Sequence, residues 1–368
     1  MLTRIYIDNF RCFVNFEYRP ARKQLILGPN GSGKSSLLDA LLFLRRVVFL
    51  GHDLERREIL SQKTLWMNQP LQTWELEASL DNASYIYHLE IDSYGDPPRA
   101  RILSENVKIN GKPIFAFEDG KVHLFDDQPS PKITYPFDWH RSALATLSEE
   151  RVNQNLARFK RWFGNMLCFR INPFRMGYRA EREDAYPNFN LSDFAAWYKH
   201  LFLSFPQENA KLLESLTAAL DGFSFLKFES AGENIGLLFS EFAGSRGSSV
   251  KLRFDKLSDG QRCLICLYAI LHFVVAKGNT VILDEPENFI ALREIQPWLS
   301  AVSDAIEENG GQVLIISHHP EFMNQWAPDF GVQFIRDGMG PVRVKEFRTE
   351  AYNTLLPSEV IARGWEND

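Results

Sequence analysis

The sequence predicts an α/β protein with a central, mostly parallel sheet, an antiparallel β subdomain and a helical insertion. Three observations lead there. Short apolar runs at 25–27, 280–283 and 313–316 each end in a loop of Gly, acidic or His residues, as strands buried on both faces do. Residues 71–125 alternate apolar and polar side chains, as in Trp74-Glu75-Leu76-Glu77-Ala78 and Tyr85-Ile86-Tyr87-His88-Leu89, the period of half-buried antiparallel strands. Residues 148–167 and 192–220 carry helical patterns between these blocks.

The first buried run enters a turn at Gly28. The segment Gly28-Pro29-Asn30-Gly31-Ser32-Gly33-Lys34-Ser35 fits the P-loop pattern G-x-x-x-x-G-K-[ST], and residues 35–42 then read as a helix starting with Ser35 and Ser36. Glycines let backbone N–H groups converge on phosphate oxygens, and a helix N-terminus adds partial positive charge there. The pattern assigns Lys34 to the β- and γ-phosphates and the Ser35 hydroxyl to Mg²⁺.

In the β-rich block, Asp81-Asn82, Tyr94-Gly95-Asp96-Pro97 and Asn110-Gly111 supply turns. Strand patterns return at 223–228, 236–242 and 250–254. Leu257-Ser258-Asp259-Gly260-Gln261 precedes an apolar helix from Arg262 to about Lys277, and Ser258 with Gln261 three residues on fits a capping box. The second buried run ends in Asp284-Glu285, the third in Ser317-His318-His319. Neighbouring strand residues point to opposite faces, so only one of the two histidines shares a face with the site.

Taken in order, these four segments resemble the head of an ABC-class ATPase: P-loop, signature motif, Walker B and switch histidine. The opening Asn9-Phe10-Arg11-Cys12-Phe13 resembles the RecF/SMC start, and Asp284-Glu285-Pro286-Glu287-Asn288 resembles that branch and the ATPase part of OLD-type proteins. The resemblance covers residues 1–45 and 250–325. It implies an ABC-type ATPase head using ATP and Mg²⁺, although the phosphate motifs alone do not separate ATP from GTP. It implies Asp284 as the Mg²⁺ carboxylate, Glu285 as the base that activates water and His318 as a γ-phosphate donor. Ser258, Gly260 and Gln261 would complete the site of a second subunit, which implies a head-to-head homodimer on ATP. Asp259 departs from the family's glycine. Asn172 takes the place of the Q-loop glutamine, and Phe13 and Tyr18 are the aromatics considered for the base, though aromatics near an N-terminal sheet are more often core.

Hydrophobic residues make up 45% and charged residues 24% of the 368, an ordinary globular balance. No apolar run approaches the ~20 residues of a membrane span, and Arg4, Asp8 and Arg11 break any signal-peptide core, so the expectation is a cytoplasmic protein without a membrane partner. Cys263-x-x-Cys266 lacks a second ligand pair at zinc spacing and reads as packing. Net charge −6 argues against general polyanion binding. A basic stretch, Arg158, Lys160, Arg161, Arg170, Arg175, Arg179 and Arg182, is interleaved with Trp162, Phe163, Phe169, Phe174 and Tyr178. That suits a nucleic-acid track, but a solvated helix face followed by a core strand is the favoured reading.

The expected organisation is one ATPase head over 1–368. Within it lie a P-loop lobe with antiparallel sheet at 1–140, a helical insertion at 141–222, a signature, Walker B and switch-histidine lobe at 223–345, and a tail at 346–368. No sustained heptad run fills the middle, unlike an SMC rod. The stretch after His318 is expected to be too short for the Toprim nuclease of OLD-type proteins. Two functions stay open by resemblance. One is an ATP-hydrolysing switch in DNA repair or anti-phage defence, with DNA or a separate effector such as a nuclease as partner. The other is the nucleotide-binding subunit of an ABC transporter. A scaffold that binds ATP without turnover is a third, less consistent with Glu285 and His318.

Overall fold

The computed structural model describes residues 1–54, 62–96, 99–126, 132–148, 153–232, 234–244, 248–348 and 355–364. It divides into two compact units, Met1–Met166 with Phe330–Arg348, and Leu167–Asp329 with Thr349–Asp368.

Two sheets make up the first unit. An antiparallel sheet of eight strands runs in the order Phe16–Tyr18, Leu2–Asp8, Leu71–Leu80, Ala83–Tyr94, Arg99–Ile109, Lys112–Glu118, Lys121–Leu124 and Ile133–Pro136. Burial alternates along Leu71–Leu80, with Trp74, Leu76 and Ala78 inside. Asp81-Asn82, Asn110-Gly111 and Asp119-Gly120 all have left-handed φ and close two-residue hairpins, the backbone twist that favours Asn, Asp and Gly. The other sheet pairs Lys23–Leu27 in parallel with Gly331–Arg336, which pairs antiparallel with Val342–Glu346. The P-loop helix, Lys34–Leu44, places Phe43 in a stacked contact with Trp74, ring centres 5.0 Å apart. It runs on into a π-helical turn, Arg45–Phe49, where buried Arg45 donates to Gly164 O at 2.5 Å. A Cβ on Gly164 would lie 2.4 Å from the Phe49 ring, so glycine permits that approach. Helix Gln154–Asn165 is capped by the Asn153 side chain and stacks Phe159 on Tyr85 and Tyr87.

The second unit has three parallel strands, Leu167–Phe169, Thr280–Asp284 and Gln312–Ile316, buried throughout. A separate antiparallel sheet pairs Gly236–Ala243 with Phe223–Ser230 on one edge and with Arg179–Ala180 and Ser249–Arg253 on the other. The signature helix, Asp259–Phe273, forms the helical core, and Trp298 of helix Leu292–Asn309 donates to its Leu267 O at 2.9 Å. Cys263 and Cys266 are buried in it, and burial pushes the Cys263 thiol up to about 12 and raises that of Cys266 well above the usual thiol range. With its 3₁₀ extension this helix covers Asp259–Lys277 and is long and apolar enough to cross a membrane, yet 72% of that apolar window is buried inside the fold.

Residues 141–222 contribute to both units: Gln154–Asn165 to the first, Phe194–Ser204 and Pro206–Ala219 to the second. In the tail, Pro357–Ala362 is helical, while 352–354 and 365 lie outside the described residues.

Candidate functional site

The P-loop lies in the first unit. Gly28, Gly31 and Gly33 have φ of 137°, 81° and 100°, conformations that a Cβ disfavours. At Gly28 a Cβ would stand 2.3 Å from Phe334 O, and at Gly33 2.6 Å from a Val342 methyl. Strand Gly331–Arg336 and strand Val342–Glu346 thus fix where the loop runs. Pro29, Asn30 and Gly31 are exposed at its tip and Ser35 at the helix start, with Ser36 half-buried. The helix begins without a side-chain cap and with no acidic residue in its first turn, so its first N–H groups keep the positive end of the helix open to an anion. The buried Ser32 hydroxyl has no hydrogen-bond partner, as expected of a group shaped for a ligand. Lys34 is buried and curls back, its Nζ donating to Gly28 O at 2.6 Å and Pro29 O at 3.0 Å.

A further cation meets this loop without a sequence signal: Arg336 reaches Gly31 O at 3.5 Å, and its guanidinium lies 5.2 Å from the Trp66 ring centre. Arg11, at φ 51°, is instead paired with Asp39 of the P-loop helix and with Gln62. Phe13 and Tyr18 do not serve a base. Both are core residues: Phe13, bridged to Phe10 in the turn before strand Phe16–Tyr18, packs on Phe16, and Tyr18 within that strand packs on Phe334.

In the second unit, strand Thr280–Asp284 carries buried Asp284 to its end. Arg170, just after strand Leu167–Phe169, donates to Asp284 Oδ2 from Nε at 2.8 Å and lies 2.6 Å away through Nη2. Side-by-side parallel strands bring these ends together. Asn172, expected in the Q-loop place, accepts instead from Phe174 N–H at 3.1 Å and caps the turn Pro173–Arg175. Glu285 is exposed at φ 49°, and its Oε2 accepts from Asn288 Nδ2 at 2.9 Å. His318 is exposed. His319 turns to the following helix, where its Nδ1 accepts from Glu321 N–H at 3.2 Å and its ring meets Phe322.

The signature serine forms the capping box: Ser258 Oγ accepts from Gln261 N–H at 3.2 Å, and Gln261 Oε1 accepts from Ser258 N–H at 3.0 Å. Gly260 is required by crowding, since a Cβ would sit 2.6 Å from Phe289 O. Asp259 pairs with Arg262, which donates to Pro173 O at 2.5 Å and so ties the signature helix to the 170–175 segment. A groove of about 550 Å³ lies beside Ser258 and Gln261, lined also by Asp221, Arg293 and Glu294. Phe174 and Phe289 form an exposed edge-to-face pair.

The basic stretch is largely committed to protein partners. Arg158 pairs with Asp81, Lys160 with Leu147 O, Arg179 with Glu181 and Arg182 with Asp184. Phe163 and Phe169 are core, and Tyr178 is covered by Arg253 at 4.2 Å.

The oxygen donors at these positions suit Mg²⁺, which takes one or two carboxylates and completes its shell with phosphate and water. Among the described residues no group of three or more His, Cys, Asp or Glu could hold a metal by itself, and that chemistry does not require one.

A family model described as "AAA domain, putative AbiEii toxin, Type IV TA system" matches residues 25–324. A second, described as "AAA domain", matches residues 4–44. Among solved structures, the SMC head bound to the C-winged helix domain of ScpA is similar over 96% of this chain and 99% of that one, at 13% identity and TM-score 0.58. The SMC head domain from Thermotoga maritima is similar over 94% and 99%, at 13% identity and TM-score 0.49. A search of curated proteins found no match.

Proposed function

The chain belongs to the AAA-domain family whose model matches its residues 25–324, and on that premise we propose that it is an ATP-hydrolysing switch of the SMC/RecF-like branch that dimerises head to head. Families of this kind are nucleotide-binding ATPases. The observation that carries the reading is the P-loop: left-handed glycines held by neighbouring strands, an uncapped helix start, a buried unpartnered Ser32 hydroxyl and buried Lys34 folded back onto the loop carbonyls.

In this reading the backbone N–H groups of Asn30, Gly31, Ser32 and Gly33, in a loop whose course Gly28 and Pro29 set, hold the phosphates together with Lys34 and Ser36. Ser35 and Asp284 hold Mg²⁺, which when bound neutralises charge on the transferring phosphoryl group. Glu285 accepts the proton of the attacking water, and Asn288 orients its carboxylate. Exposed His318 offers a donor to the γ-phosphate. Ser258, Gly260 and Gln261 serve the nucleotide of a second copy, with the positive end of the signature helix behind them. The family's description names a toxin of a type IV toxin–antitoxin system, which favours a role in defence over one in repair. The transporter alternative is not favoured by the family match.

The test is Glu285→Gln. It should bind ATP, fail to turn it over and run as a dimer with Mg-ATP in light scattering. A variant that stays monomeric at saturating Mg-ATP would refute the head-to-head model.

A further inference from the structure

We propose that Glu287 is a positioning residue that latches the loop carrying Glu285 to the strand end carrying His318, so that base and switch histidine move as one unit. This rests on the ATPase reading above.

The loop after Asp284 is tightly made. Left-handed Glu285 and Phe289, at φ 49° and 73°, bracket three residues. Glu285 N–H donates to Ile316 O at 2.8 Å, and Ile290 N–H donates to Glu287 O at 3.0 Å. Between them the Glu287 side chain turns inward and is only 7% exposed. Its Oε1 accepts from the wholly buried Ser317 hydroxyl at 2.5 Å. The same hydroxyl accepts from His319 N–H at 2.9 Å, and the His318 backbone amide also favours the carboxylate. The amides on both sides of the His318–His319 peptide are therefore tied, directly or through Ser317, to a carboxyl two residues from Glu285.

Burying a carboxyl is costly, and an apolar side chain of that size fills such a space at lower cost. The second oxygen, Oε2, is buried without a hydrogen-bond partner, which adds to the cost. What the carboxyl supplies is direction: its short bond from the Ser317 hydroxyl adds a side-chain tie to the backbone bond from Glu285 N–H to Ile316 O, fixing the distance between the two loops. Glu285 and His318 are both exposed, so where they sit follows from how their two loops are held.

The experiment compares Glu287→Ala, Ser317→Ala, the double variant and Glu287→Gln with the full chain. It reads kcat and KM for ATP, the affinity for a fluorescent ATP analogue and the melting temperature. Misplacing a catalytic group by about 1 Å costs up to about a hundredfold in rate. We expect each alanine variant to lose about tenfold in kcat with analogue affinity unchanged, and the double variant to be no worse than either single one. Glu287→Gln, whose carboxamide oxygen can still accept from Ser317, should recover most of the rate. Full kcat in Ser317→Ala, or losses that multiply in the double variant, would overturn the latch even if Glu287→Ala fails to fold. Wild-type protein without turnover would overturn the ATPase reading, and the latch with it. Wild-type turnover with indifferent variants would sink the latch alone.

Discussion

Replacing Arg170 by Met tests what balances the buried Asp284 charge. Met keeps most of the stem and removes the guanidinium. Breaking a fully buried ion pair costs about 3–5 kcal/mol. Here the Asp284 side chain is 4% exposed, but that of Arg170 is 42% exposed, so water weakens the pair and the loss should be about 1–2 kcal/mol. In urea with EDTA the variant should unfold at a lower midpoint with an unchanged slope. Millimolar Mg²⁺ should then help the variant more than the wild type, because the metal no longer competes with a tethered cation. At ten times its dissociation constant a ligand adds about 1.4 kcal/mol. Arg170→Met combined with Asp284→Asn should lose less than Arg170→Met alone, since no uncompensated charge remains. An equal midpoint for Arg170→Met and wild type in EDTA, or an equal Mg²⁺ effect on both, would refute the reasoning.

Gly28→Ala and Gly31→Ala should separate sharply. The first drives a Cβ into Phe334 O and should lower stability by about 3 kcal/mol or more and abolish nucleotide binding, whereas the second meets nothing within 4 Å and should cost only the ~1–2 kcal/mol of a left-handed alanine; melting curves and nucleotide titrations read both. Burial, reinforced by the Glu285 charge, pushes the Glu287 carboxyl up to about 7. The folded state thus holds that proton more tightly than the unfolded chain, so this group's contribution is full below about 4.5 and is lost as pH rises through 7. Glu287→Gln should flatten that part of the stability-versus-pH curve, and an unaltered curve would show the group is not the source. Glu285→Gln should also bind ATP no more than a few-fold differently from wild type while losing about a hundredfold or more in kcat, measured by phosphate release; retained turnover would remove Glu285 as the base.

The strand–loop–helix at the P-loop, the hairpins of the antiparallel sheet and the capping box at Ser258 were legible in the chain because each depends on near neighbours. Glycines set the backbone angles of a loop, Asn and Asp accept left-handed turns, and a serine finds the amide three residues on. The same local logic placed Asp284, Glu285 and His318 at strand ends. The side-chain partners were not legible. Asn172 looked like a metal-facing residue and is a cap; Phe13 and Tyr18, candidates for a base although core packing was the commoner reading, are core.

Arg170 stood in the sequence as one cation of a basic stretch, yet it holds a carboxylate 114 positions away, and Arg336 reaches a P-loop carbonyl 305 positions back. Glu287 read as one more acid after Walker B and proves buried against Ser317, 30 residues on. By itself the sequence determined the order of elements and the chemistry carried at their ends, since periodicity and turn preference act over a few residues. Only the tertiary structure decided which charges neutralise one another and which rings are hidden, because those depend on strands and helices that packing brings together from distant parts of the chain.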